Sequence, residues 1–82
     1  MTKAAQTQEA ILMIENRIER MRTAESMQML EYLDNVAFGM IRLATTTKII
    51  DSAERDRLKD MKVMAYIDRE TELKATKGGT AA

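Results

Sequence analysis

Cysteine and histidine are both missing from the 82 residues. Without cysteine there can be no disulfide, thiolate nucleophile or thiolate metal ligand. Without histidine the commonest general base and metal ligand is gone as well, and zinc sites of the usual kind go with it. Proline and tryptophan are also absent, and two of the three glycines stand together at Gly78-Gly79. No helix follows that pair in sequence, so it cannot cradle a phosphate at a helix N-terminus. Apolar runs are short, Ile11–Ile14 being typical, against the roughly 20 residues needed to cross a bilayer. Residues 1–10 carry no apolar run of the signal-peptide kind. A soluble, cytoplasmic protein is the expectation. Charge of one sign is not in excess: thirteen basic residues balance thirteen acidic ones. A nucleic-acid binder usually shows a basic surplus or stripe, so any such role would have to rest on a local patch.

What the chain does contain is Ala, Leu, Met, Glu, Lys, Arg and Gln, the strong helix formers. An 82-residue chain makes one domain and buries only about 60–65% of its unfolded surface. Self-association would add buried area, so a homodimer is expected. The domain is placed at residues 7–75, between a disordered N-terminus at 1–6 and a flexible tail at 76–82.

Three apolar-periodic stretches fill that domain. In the first, Ile11, Ile14, Ile18 and Met21 follow 3-4-3 spacing, the mark of one helical stripe. Leu12 and Met13 widen it, and Thr7 is a candidate cap. In the second, Leu30, Leu33, Ala37, Met40 and Ala44 form one stripe and Met29, Val36 and Leu43 a neighbouring one. This helix is apolar over more than half its circumference, which implies burial on two sides. In the third, Leu58, Met61, Met64 (with Ala65) and Ile67 (or Asp68) give the stripe, flanked by Val63 and Tyr66. Thr45-Thr46-Thr47 is a poor helix interior, and Asp51 with Glu54 three residues on makes a capping-box-like start after Ile50. The break between the first two helices is less marked. Thr23 is a possible cap, but no Gly or Pro interrupts the chain. The fold class is therefore all-α, a three-helix bundle or a long helical hairpin, with helices at about 7–22, 24–45 and 52–75. Helix 2 is its centre or its self-association surface.

Chemistry is confined to carboxylates. Glu15 and Glu19, and Asp56 and Asp60, each lie one helical turn apart. Such pairs hold metals only when other helices add ligands, and interleaved Arg and Lys suit a solvated face instead. Ser26 and Ser52 sit at expected helix starts, where serine caps. No catalytic, cofactor-binding or metal-binding residue is assigned, and an enzyme is not expected.

Two features could carry recognition. Arg55, Arg57, Lys59 and Lys62 could line one face of helix 3 and touch phosphates, yet Asp56 and Asp60 alternate with them, as on a solvent face laced with weak ion pairs. The second feature is methionine, present eight times. Methionine fills irregular gaps in cores but is also over-used on adaptable binding surfaces. Met27 and Met29 lie two apart, so on a helix they point about 160° from each other. One can face the core and the other must face a partner or water, and the same holds for Val36 and Phe38. The expected protein interface is Met27, Met29, Val36, Phe38, Met40, Leu43, Met61 and Met64. Gly39, mid-helix at a cost of about 1 kcal/mol relative to Ala, reads either as the close approach of another helix near Ala37 and Leu43 or as a tolerated surface glycine. The function expected is a small helical interaction protein: a regulator, inhibitor, adaptor or chaperone-like subunit. The alternative is a small DNA-binding regulator using the basic face of helix 3. No small-molecule substrate or membrane partner is expected.

Overall fold

The computed structural model describes the backbone of residues 2–81 and the side chains of residues 2–75. The chain is a three-helix bundle: α1 (Lys3–Met21), α2 (Met27–Thr46) and α3 (Ser52–Ala81). Short turns join them, so sequence neighbours run antiparallel. α2 packs on both other helices and α1 touches α3 less extensively, which makes α2 the centre of the bundle.

Each boundary has a local cause. α1 begins at Lys3, one turn earlier than the apolar pattern indicates, because the Thr2 hydroxyl accepts from the Ala5 N–H at 3.1 Å. Thr7 is therefore not a cap. Its hydroxyl instead donates to the Ile49 carbonyl at 2.6 Å, tying α1 to the α2–α3 turn. α1 and α2 are separate helices. The chain tightens through Arg22, Thr23 and Ala24, whose N–H groups reach back to the carbonyls of Glu19, Arg20 and Met21. Ser26, not Thr23, caps α2 by accepting from the Met29 N–H at 3.1 Å.

α2 stops at the threonine run. The Ile49 N–H bonds the Ala44 carbonyl at 2.9 Å and the Lys48 N–H bonds the Thr45 carbonyl at 3.0 Å, the paired bonds of a Schellman stop. Lys48 takes the left-handed position at φ 61°, where glycine is the usual occupant. Asp51 starts α3 as the sequence indicates, its carboxylate accepting from the Glu54 N–H at 2.8 Å. At the opposite end Arg69 donates from Nε to the Ala24 carbonyl at 2.8 Å. Each turn is thus pinned by the helix that does not form it. The tail expectation falls on residues 76–82, outside those whose side chains are described.

The core gathers Ile14, Ile18 and Met21 from α1, Leu30, Leu33, Ala37, Ile41 and Ala44 from α2, and Leu58 and Ala65 from α3, with Ala24 and Ile50 from the turns. Two stripes need correcting. Leu12 and Met13 do not widen the buried face of α1; both are 55% exposed. On α3 Leu58 and Ala65 are on the core-facing line as read, but Met64, Ile67 and Asp68 are not. Steps of three drift around a helix of 3.6 residues per turn, and the line that stays on the core is Leu58, Lys62, Ala65, Arg69 and Leu73. Lys62 is buried and Arg69 partly so. Met61 packs against the core, whereas Met64 and Ile67 stand exposed.

Candidate protein-interaction surfaces

Besides Leu12 and Met13 of α1, the apolar side chains left outside this core fall into three groups. The first lies along α2. Met29, Tyr32, Val36 and Leu43 span only about 60° of arc at 100° per residue. Met29, Tyr32 and Leu43 are exposed and Val36 half-buried. Gly39 shares this face, and a Cβ built on it meets nothing within 4 Å. Met40 borders the stripe, half-buried against the core, and shares a shallow groove with Met13, Asn16 and Arg17 of α1. Ala37 does not belong here, because it faces the core with no exposure.

The second group lies on the other side of α2. Phe38 is 49% exposed and borders a groove of about 190 Å³ between α2 and α3, lined also by Ile41, Arg42, Thr45, Thr46, Arg55 and Lys59. The groove has an aromatic and aliphatic floor with three cations at its rim. The third group is Val63, Met64 and Ile67 on the outward face of α3. The expected interface residues therefore do not make one surface. Met29, Val36, Met40 and Leu43 lie together; Phe38 lies about 160° around α2 from Val36; Met64 is on α3. Met27 and Met61 pack against the core. The divergence of Met27 from Met29 is as the spacing requires.

The basic residues of α3 are divided in the same way. Arg57 donates to both Glu54 and Glu15, the latter at 2.9 Å. These two glutamates hold its guanidinium still deeper in its protonated range. Lys62 is buried and donates to Asp34 Oδ1 at 2.7 Å. Arg55 pairs with Asp56 at 3.0 Å, and Lys59 has no ion-pair partner among the described residues. The four cations thus do not form one open face: Arg55 and Lys59 turn to the Phe38 groove, while Arg57 and Lys62 are used in holding helices together. Three of the four paired carboxylates are likewise engaged, Glu15 with Arg57, Glu19 with Arg22 and Asp56 with Arg55, while Asp60 has no ion-pair partner among the described residues. Among the described residues no three acidic groups converge as a metal site would require. A recess of about 610 Å³ over the α2–α3 turn is lined by Thr7, Ile11, Lys48 and Asp51 among others. Its Thr7 hydroxyl and Asp51 carboxylate are already committed to Ile49 and Glu54.

None of the described helices is long and apolar enough to cross a membrane. Neither a family model, nor a curated protein, nor a solved structure matches the chain.

Proposed function

We propose that this protein is a non-catalytic helical interaction protein, a regulator, inhibitor, adaptor or chaperone-like subunit, acting in the cytoplasm by binding a protein target. The observation that carries this reading is the Phe38 groove. A half-exposed aromatic ring at the edge of a small apolar recess, ringed by Arg42, Arg55 and Lys59, has the make-up of an interface centre, with apolar filling and a charged rim that sets orientation. The rim is basic, so the target segment is apolar with acidic flanks. The alternative, DNA binding through the four cations of α3, is weakened by the internal pairing of Arg57 and Lys62.

The test is an affinity capture from source-cell lysate using the wild-type chain and Phe38→Glu in parallel, with nuclease and at high salt. Phe38 is exposed, so the variant keeps its helicity. A protein retained by wild type after nuclease and lost on Phe38→Glu supports the reading. Recovery of nucleic acid with its usual proteins, lost on nuclease treatment, would replace it with the DNA alternative.

A further inference from the structure

The α2 stripe has three properties that the monomer does not explain. The first is Gly39. A glycine in the middle of a helix loosens it, and here no neighbour within the chain requires one, since a Cβ would meet nothing within 4 Å. The space it leaves opens outward on the same face as Met29, Tyr32, Val36 and Leu43. The second is the spacing. Met29 and Leu43 each stand seven residues from Val36, and Tyr32 and Met40 each stand four from it. The pattern therefore reads alike in both directions from Val36. The third is charge. Glu25 stands just before α2 and Lys48 just after it, and neither has an ion-pair partner among the described residues.

We propose that this stripe is covered by a second copy of the chain, its α2 antiparallel to the first, with the two-fold axis at Val36. This deepens the interaction reading above by naming a partner, and it uses a different surface from the Phe38 groove. An isologous contact needs a surface complementary to itself under a two-fold. Residues whose numbers sum to twice 36 then face each other: Met29 meets Leu43 of the partner subunit, Val36 meets its own counterpart, and Tyr32 meets Met40 of the partner subunit. Because Gly39 lies beside Met40, the ring of Tyr32 has room to lie over a backbone that carries no side chain there. Antiparallel packing also brings Glu25 of each chain to the Lys48 end of the other, whereas parallel packing would stack like charges at both ends.

The absence of cysteine makes the test direct, because single-cysteine variants report one position each. Sedimentation of the wild type should give about twice the 9.3 kDa chain mass. Val36→Cys should cross-link to a dimer on oxidation or with a short bis-maleimide. Met29→Cys alone should not, since its counterpart would be about 21 Å away at 1.5 Å per residue. A mixture of Met29→Cys and Leu43→Cys should. Leu43→Glu, at an exposed position, should keep its helicity and raise the dimer dissociation constant by roughly thirty-fold or more, because the Met29–Leu43 contact occurs twice in a two-fold dimer. Gly39→Leu should raise monomer thermal stability and weaken the dimer. A wild-type chain that sediments as a monomer at high micromolar concentration overturns the proposal, as does self-cross-linking of Met29→Cys. A monomer that still captures a protein through Phe38 refutes this inference alone. A dimer that captures nothing refutes the target-binding reading alone.

Discussion

Lys62 and Asp34 give the sharpest test of the packing. Lys62 sits on the core-facing line of α3 between Leu58 and Ala65, with 9% of the residue exposed, and its ammonium donates to Asp34 Oδ1 at 2.7 Å. Asp34 itself keeps 24% of its side chain in contact with solvent. The two deletions are therefore unequal. Asp34→Ala strands a nearly enclosed ammonium. Breaking a fully buried pair costs about 3–5 kcal/mol and an exposed one about 0.2–1 kcal/mol. A lysine that can still edge its head toward water falls between, at about 1.5–3 kcal/mol. Lys62→Met removes the charge, keeps the stem's packing and leaves Asp34 able to hydrate, at about 0–1 kcal/mol. The double variant should lie close to wild type, since replacing a buried pair by apolar groups is often neutral or stabilising. The assay is urea unfolding followed by far-UV circular dichroism, repeated in about 1 M salt, where the screening length is near 3 Å. The coupling between the two sites should survive that salt. If Asp34→Ala costs no more than Lys62→Met and the coupling vanishes in salt, the pair is an ordinary surface bridge and Lys62 is not part of the core.

Two further predictions concern local structure. Lys48 holds a left-handed backbone at φ 61°, so Lys48→Gly should stabilise the chain by about 0.5–1 kcal/mol in thermal or urea unfolding, glycine taking that conformation without steric cost. Destabilisation would mean that the lysine stem packs over the turn. Tyr66 is partly buried in α3, and that burial, with Glu31, Glu70 and Asp34 nearby, pushes its phenol above the ordinary range. A raised acid keeps its neutral form in the fold, so its contribution is complete below the unfolded phenol range near pH 10 and is lost as pH climbs through the folded value. Tyr66→Phe should flatten that alkaline loss of stability, and an unchanged alkaline limb would contradict the assignment.

How far the sequence revealed all this depends on which residues carried the pattern. The 3-4-3 run Ile11, Ile14, Ile18 and Met21 is read correctly because every position on it is apolar. The Asp51 start is read because its capping chemistry is spelled out in sequence. The α3 stripe is misread because two of its core-facing positions are Lys62 and Arg69, whose long stems lie inward while their heads find Asp34 and the Ala24 carbonyl. Periodicity counted on apolar letters skips such residues and lands on Met64 and Ile67, which are exposed. The candidate surface was half legible for a related reason. A helix apolar on more than one side announces that something is left over, but not how the remainder is divided. Spacing already sets Val36 and Phe38 on opposite sides of α2, but only packing shows that neither is in the core, and only the fold brings Arg55 and Lys59 beside Phe38.

That division has a consequence for how the proposed activities combine. The stripe centred on Val36 and the groove at Phe38 lie about 160° apart on one helix. A dimer built on the stripe therefore leaves both grooves open and turned away from the seam. Two grooves on one particle can engage two target segments together, so the second contact forms at a raised effective concentration. Leu43→Glu should then lower retention on a surface crowded with target while leaving the affinity of a single groove for a soluble monovalent target unchanged. Phe38→Glu should abolish both without altering the sedimenting mass. Arg42 borders the groove about 120° around α2 from Val36, so Arg42→Glu should weaken target binding and leave the sedimenting mass unchanged. If Leu43→Glu also destroys monovalent binding, the two surfaces act as one, and the target itself occupies the stripe in place of a second copy.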